Sequence, residues 1–238
     1  TDNYSVANYI KAIQPIIEDI RSRNKTPIII GGTMMYVWTM QNGLHQAPAS
    51  NITVRNQITL QAQQLGWQEM WQKLAHLDPD AASKIQPNDK QRISRALERL
   101  ASNHDEDITS QSITQIPLEV ISLWPNNREL LYENLNNRAL IMLKQGLLQE
   151  VIDLYSDFPE LNKNHKLMSA VGYKQVSQYL NQELSYDEMT AKIQQANRNL
   201  AKRQITWMKK IQSHSIEVQL DQDNHGLTGA YPALIGLI

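Results

Sequence analysis

Between residues 189 and 215 the sequence holds six basic side chains and no Asp or Glu. This stretch therefore makes a local positive field, although the chain as a whole is close to neutral. Gln204, Thr206 and Trp207 lie among the cations, and such a mixture is typical of a surface that binds an unstacked RNA base and its phosphates. The alternatives are a solvated helix face with its acids on neighbouring elements, and a core position for Trp207. The six basic residues are Lys192, Arg198, Lys202, Arg203, Lys209 and Lys210.

Three further features give weaker signals. Gly31 and Gly32, which precede Thr33, let the backbone approach a ligand closely, or simply make a tight exit from a strand. Arg138 lies in a predicted helix, where its two-pronged guanidinium would clamp a diphosphate or form a surface ion pair. A basic stripe on another predicted helix is more often solvated than functional; it consists of Arg92, Arg95 and Arg99.

The composition excludes several kinds of chemistry. The 238 residues include no cysteine, which rules out disulfides, thiolate zinc sites and cysteine nucleophiles. The six histidines are scattered without ligand spacing, and no Gly-x-x-x-x-Gly-Lys-Ser/Thr phosphate loop occurs. No apolar stretch approaches the ~20 residues that span a bilayer, and the polar start has no signal-peptide core. We therefore expect a cytoplasmic protein with no membrane partner.

The elements that must position these residues give both strand and helix signals. Ile28 to Ile30 run directly into two glycines, which predicts a buried parallel strand, and the stretches 118–123 and 216–220 predict further strands. Between the first two of these strands the signals are helical. We therefore predict an α/β chain of one to two domains, with an α/β core domain at 1–43 and 111–238 and a helical insertion domain at 44–110.

Helix boundaries follow from capping residues. Ser185 to Glu188 has the spacing of a capping box and begins the long basic helix, and Asn88 to Gln91 has the same spacing before the arginine stripe. Asp78 followed by Pro79 predicts another helix start. Pro15 falls inside the first apolar helical pattern, so we expect a kink or a helix restart near Gln14.

Four ordered motifs resemble those of the bacterial tRNA dimethylallyltransferases, also called tRNA isopentenyltransferases. The resemblance runs from Tyr4 to about Leu220, and the Lys-Arg-Gln-x-Thr-Trp block is its most specific part. The motifs are PIIIGGTMMY at 27–36, PNDKQRISRALE at 87–98, VGYKQ at 171–175 and LAKRQITW at 200–207.

The resemblance implies a reaction and its partners. A dimethylallyl group would pass from dimethylallyl diphosphate to N6 of the adenosine 3′ to the anticodon, in tRNAs that read codons beginning with U. The implied fold is a P-loop NTPase-like parallel-sheet core with an inserted all-helical domain, and the implied cofactor is Mg²⁺. The implied macromolecular partner is the tRNA anticodon stem-loop, and we expect a monomer.

The resemblance also assigns roles to residues. Arg138 is the catalytic residue that would engage the diphosphate. The implied tRNA contacts are Thr33, Arg55, Gln91, Arg92, Ser94, Arg95, Gly172, Tyr173, Lys174, Lys202, Arg203, Gln204, Thr206, Trp207 and Lys209.

The sequence departs from the family pattern at its start. The phosphate-binding Gly-Pro-Thr-x-x-Gly-Lys loop and the aspartate taken as general base have no counterpart, so the resemblance implies an N-terminally incomplete chain. Two other functions stay open at this point. One is a noncatalytic RNA-binding remnant that lacks the diphosphate site, and the other is a P-loop phosphotransferase such as a nucleotide kinase, which explains the basic helix around Trp207 poorly.

Overall fold

The computed structural model describes residues 4–43, 52–101, 115–161 and 165–218. The chain divides into two compact units. One unit contains Thr1–Asn42 and Gln115–Ile238, and the other contains Gly43–Thr114. None of the helices among the described residues is both long and apolar enough to cross a membrane.

The first unit begins with two helices. Helix α1 (Val6–Ser22) starts where the Ser5 hydroxyl accepts a hydrogen bond from the Asn8 N–H, and it buries Ile10 and Ile17. It continues through Pro15. Of the predicted kink or restart near Gln14, the restart is therefore wrong: proline removes one backbone hydrogen bond, and the other hydrogen bonds maintain the helix. Helix α2 (Met34–Asn42) follows.

The stretch between these helices does not form the predicted buried strand. Residues 25–33 have no regular secondary structure, and Ile30 is 93% exposed. A run of β-branched residues indicates a preference for extended backbone, but a strand forms only where a neighbour completes its ladder of hydrogen bonds. In the described part of the chain the paired strands are β1 and β2, and they pair with each other.

These two strands form a short parallel sheet. Strand β1 (Ile121–Pro125) pairs with β2 (His214–Val218) in a register that sets Ile121 opposite His214. The Ser122 hydroxyl donates to the Ser213 hydroxyl at 2.7 Å across the pair. Both strands were predicted near these places, the first three residues too early and the second two residues too late.

Four α-helices lie between the strands in the described part of the chain, and capping side chains and a glycine set their ends. Asn127 caps the first of them by accepting from two backbone N–H groups. Gly146 then takes a φ of 107°, which ends one helix and starts the next. The predicted capping box at Ser185 and Glu188 is confirmed, because each side chain accepts a hydrogen bond from the other residue's backbone N–H. The helices are α7 (Arg128–Lys144), α8 (Leu147–Asp157), α9 (Tyr173–Leu180) and α10 (Tyr186–Met208), with a 3₁₀ turn at Lys166–Ser169.

The second unit is helical in its described residues. Asp78 caps its third helix by accepting from the Ala81 N–H at 2.9 Å, as its position before Pro79 predicts. At the fourth helix Asp89 accepts from the Arg92 N–H, so the predicted cap at Asn88 is wrong by one residue. The helices are α3 (Ile52–Leu65), α4 (Trp67–Leu77), α5 (Pro79–Ser83) and α6 (Lys90–Ala101). Their core contains Ile58, Met70, Leu74, Ile93 and Leu97.

Candidate nucleic-acid interface

The C-terminal half of α10 and the two residues that follow its last residue, Met208, carry exposed cations. Lys202, Arg203, Lys209 and Lys210 are all exposed. None of them lies within ion-pair distance of a carboxylate in the part of the chain that the structure describes. Within the described residues their charge is therefore exposed and not ion-paired, and exposed positive charge attracts a polyanion.

The polar and aromatic residues of this helix lie close to those cations. Trp207 is half-buried, and the ammonium of Lys210 lies 5.6 Å from its ring centroid, at cation–π distance. Trp207 is therefore not a fully buried core residue, and part of its surface is open to solvent. Thr206 is exposed, and its hydroxyl donates to the Lys202 carbonyl at 2.9 Å.

One hydrogen bond joins this helix to the glycine pair. The Gln204 side-chain amide donates to the Gly32 carbonyl oxygen at 2.9 Å. Thr33, the next residue, is exposed, and its carbonyl accepts from the Tyr36 N–H at the start of α2. The structure thus brings two of the sequence motifs together within the first unit.

The Gly-Tyr-Lys segment begins α9. Gly172 is buried with a φ of 95°; its N–H donates to the Gln175 side chain and its carbonyl accepts from the Val176 N–H. The Tyr173 hydroxyl donates to the Glu150 carboxylate. That hydrogen bond, with burial and the carboxylate's charge as smaller causes, raises the pKa of Tyr173 above its ordinary value. In this segment Lys174 alone is an exposed cation.

In the helical unit, two of the predicted tRNA contacts bind a buried carboxylate. Glu98 is 1% exposed, and its Oε2 atom lies 3.2 Å from Arg55 Nη2 and 3.1 Å from Arg95 Nη1. The sequence analysis missed Glu98, although its spacing of three residues from Arg95 on one helix was a usable signal.

The other candidates of the helical unit lie at the start of α6. Arg92 pairs with Asp89 across a distance of 3.4 Å, and its side chain is 67% exposed. Gln91 is exposed and Ser94 is half-buried.

Arg138 is exposed on α7, and no hydrogen bond or ion pair joins it to another described residue. Two residues earlier, the Asn136 side chain accepts a hydrogen bond from Arg198 on α10, and Arg198 also donates to Gln195 at 2.7 Å. Arg198 therefore has internal partners, whereas the Arg138 guanidinium has its donors available.

A metal site of several protein ligands is not found among the described residues, which contain no group of three or more His, Asp or Glu side chains that could hold an ion. Mg²⁺ often binds through one or two carboxylates together with substrate phosphates. The predicted Mg²⁺ stays a prediction, and we assign no step to it.

Comparison with known proteins identifies a family and several relatives that are similar over most of this chain. A family model described as IPP transferase matches residues 1–211. The tRNA dimethylallyltransferase of Polynucleobacter asymbioticus is 36% identical over 226 residues, covering 88% of this chain and 66% of that protein. The tRNA dimethylallyltransferase of Francisella tularensis subsp. tularensis is 35% identical over 232 residues, covering 95% of this chain and 75% of that protein. This chain therefore spans about two thirds to three quarters of the length of these relatives.

Solved structures give the same fold. The full-length tRNA isopentenylpyrophosphate transferase from Bacillus halodurans matches with a TM-score of 0.59 and 26% identity, over 99% of this chain and 74% of that one. A eukaryotic dimethylallyltransferase acting on tRNA matches with a TM-score of 0.70 over 98% of this chain and 61% of that one; at 22% identity it shows a likeness of fold alone. The predicted α/β fold class with a helical domain is confirmed.

Proposed function

This chain belongs to the IPP transferase family, and from that premise we propose that the protein transfers a dimethylallyl group from dimethylallyl diphosphate to N6 of the adenosine 3′ to the anticodon. Its substrates would be the tRNAs that read codons beginning with U, and it would act in the cytoplasm as a monomer. The observation that carries the proposal is the exposed charge of Lys202 and Arg203 on α10 and of Lys209 at its C-cap, which no ion pair within the described residues compensates. Lys202 and Arg203 belong to the motif at 200–207, which is the most specific part of the resemblance.

The reaction fits the chemistry that the surface offers. The N6 nitrogen forms a bond to the first carbon of the dimethylallyl group, the bond from that carbon to the diphosphate oxygen breaks, and the diphosphate leaves with the electron pair. N6 loses one proton. Negative charge grows on the departing oxygens, so a positioned guanidinium stabilises the transition state. Arg138 is the group that we assign to this task, because it is exposed and its donors have no partner among the described residues.

The nucleophile also has to leave its stack. An adenine N6 inside a stacked loop cannot reach the allylic carbon, so the base must turn outward and be held by an aromatic surface and by hydrogen bonds. The partly open face of Trp207 and the exposed hydroxyl of Thr206 offer those two kinds of contact, and the neighbouring cations hold the phosphates. These features favour the enzyme over a P-loop phosphotransferase, whose acceptor would need no such surface.

The tRNA-binding part of the proposal is tested with the double variant Lys202→Ala/Arg203→Ala. Each lost phosphate contact should lower the slope of log affinity against log salt by roughly 0.7 to 0.9, so the pair should lower it by about 1.4 to 1.8. The measurement is filter binding of unmodified tRNA across a salt series. Lys11→Ala/Lys25→Ala removes the same charge from exposed positions outside α10 and should keep the wild-type slope. An equal change in both double variants, or none in either, contradicts the assignment of the surface.

The chemical part is tested by mass spectrometry of nucleosides from unmodified tRNA incubated with dimethylallyl diphosphate. Appearance of N6-dimethylallyladenosine supports the enzyme. If the wild-type chain binds tRNA with the expected salt slope but forms no product, the noncatalytic RNA-binding alternative is favoured for this chain. The two experiments therefore separate binding from transfer.

A further inference from the structure

Gln204 lies among the exposed cations of α10, yet its side chain is engaged within the protein. Its Nε2 atom donates to the Gly32 carbonyl oxygen at 2.9 Å. The two residues are 172 positions apart in the sequence, so the bond joins the segment around Gly32 to α10. That segment has no regular secondary structure of its own from residue 25 to residue 33.

Gly32 leaves room for this amide, and a larger residue would push the end of the Gln204 side chain out of its place. A Cβ atom at Gly32 would lie 2.3 Å from Gln204 Nε2, which is closer than two such atoms approach. At Gly31 a Cβ atom would meet nothing within 4 Å. Neither glycine is among the residues with positive φ, so an added methyl group at position 32 would act by displacing the Gln204 amide and not by straining the backbone.

The bond fixes the residue that follows. Thr33 comes directly after Gly32, and its carbonyl accepts from the Tyr36 N–H in the first turn of α2. The segment is thus held on one side by α2 and on the other by Gln204. Loss of the Gln204 bond would remove the side-chain hydrogen bond that joins Gly32 to α10.

We propose that Gln204 is a positioning residue, which holds the Gly32–Thr33 segment against α10 so that Thr33 and the cations of α10 form one tRNA-binding surface. The inference rests on the proposed function for its ligand. It gives Gln204 a role different from the direct tRNA contact predicted from the sequence. A direct contact would be made by the amide itself, whereas a positioning residue acts only through the segment it holds.

The positioning of the segment is measured without tRNA, by hydrogen exchange of the Tyr36 amide, whose N–H donates to the Thr33 carbonyl, in the full chain. Gln204→Ala removes the donor, and Gly32→Ala displaces it, so both should speed exchange of this amide. Gly31→Ala is the matched control, because it adds the same methyl group into open space and should exchange like the wild type. Wild-type exchange in Gln204→Ala and Gly32→Ala would overturn the inference. This experiment is decisive even if the protein binds no tRNA, so its failure and the failure of the proposed function are distinguishable.

The effect of the Gln204–Gly32 bond on tRNA binding is measured by double-mutant cycles in tRNA affinity. A net hydrogen bond of about 1 kcal/mol corresponds to about a fivefold change in affinity, so Gln204→Ala and Gly32→Ala should each weaken binding about three- to tenfold. The double variant should bind no more weakly than either single one, and Thr33→Ala should cost little in the Gln204→Ala background. Circular dichroism at the assay temperature verifies that each variant is folded.

Two results of the cycles would overturn the inference. Additive losses from Gln204→Ala and Gly32→Ala would mean that Gln204 contacts the tRNA directly. A full effect of Thr33→Ala in the Gln204→Ala background would mean that the bond does not position Thr33. A residue with a purely structural role would change the unfolding midpoint and leave tRNA affinity unchanged, which also contradicts the proposal.

Discussion

Glu98 offers the sharpest test of how the helical unit holds its arginines. Its carboxylate is buried in α6 and binds Arg95 on the same helix and Arg55 on α3. Replacement by glutamine keeps the shape of the side chain and removes its charge. Both guanidinium groups contact the same atom, Oε2, so a glutamine oxygen in that place can still accept from them, but it no longer carries the negative charge that both guanidinium groups face.

The expected loss of stability in Glu98→Gln depends on how buried the carboxylate and the two guanidinium groups are. Removing one partner of a fully buried pair costs about 3 to 5 kcal/mol, and a hydrogen bond to a charged group is worth about 1.5 to 3 kcal/mol. Here Glu98 is buried, but the side chains of Arg55 and Arg95 are 39% and 34% exposed, so water solvates them when the carboxylate is lost. We therefore expect Glu98→Gln to lower the free energy of unfolding by about 1.5 kcal/mol.

The assay is urea unfolding of the full chain, followed by circular dichroism. Arg92→Gln is the control on the same helix, because it breaks the ion pair of Arg92 with Asp89, whose arginine is 67% exposed, and should cost less than about 0.5 kcal/mol. A Glu98→Gln variant as stable as the control would refute the reasoning, since it would mean that solvation of the two guanidinium groups replaces the carboxylate without cost.

Three further predictions concern the first unit. Arg138→Ala should slow single-turnover transfer roughly a hundredfold with little change in tRNA affinity, and Arg138→Lys should recover only part of the rate, because lysine lacks the two-pronged donor. The pKa of Tyr173 is raised, so the stability from its bond to Glu150 is present below pH 10 and lost as the pH rises through the folded-state pKa; Tyr173→Phe should remove this dependence in alkaline unfolding. Hydrogen bonds from the backbone N–H and hydroxyl of Ser185 lower the pKa of Glu188, so its stabilisation is present above pH 4.5 and lost as the pH falls through the folded-state pKa. Glu188→Gln should flatten the acid limb of the stability profile.

Local signals predicted much of the helical structure because a helix is set by residues close together in sequence. Ser185 and Glu188 fix the start of α10 through bonds that span three residues, and Asp78 does the same for α5. A wrong choice between neighbours is the usual error of such reasoning. At α6 both Asn88 and Asp89 are good caps, and the structure uses the aspartate.

Strands were harder to predict because pairing depends on residues far away in the chain. Ile28 to Ile30 have the composition of a buried strand, but their neighbours in space decide whether a ladder forms, and Ile30 lies 93% exposed. The alternating residues at 118–123 predicted a strand, and one forms nearby at Ile121–Pro125 because β2, which begins at His214, supplies its ladder. The fold class was nevertheless predicted correctly from the motifs.

The difference between local and distant contacts also explains why the motifs alone do not separate the roles of the site residues. A motif gathers residues that contact a ligand together with residues that hold those contacts in place, and the sequence alone does not separate them. In the Gly-Tyr-Lys segment, Gly172 is buried in a left-handed conformation, where a Cβ atom would be strained and would also lie 3.4 Å from a Leu147 methyl group. Tyr173 is bonded to Glu150, and the charge of Lys174 faces solvent. Three successive positions therefore have three different roles: the glycine sets the turn, the tyrosine bonds α9 to Glu150, and the lysine offers a positive charge. Burial and hydrogen bonding, which the sequence does not show, identify the lysine as the one that is open to an RNA phosphate.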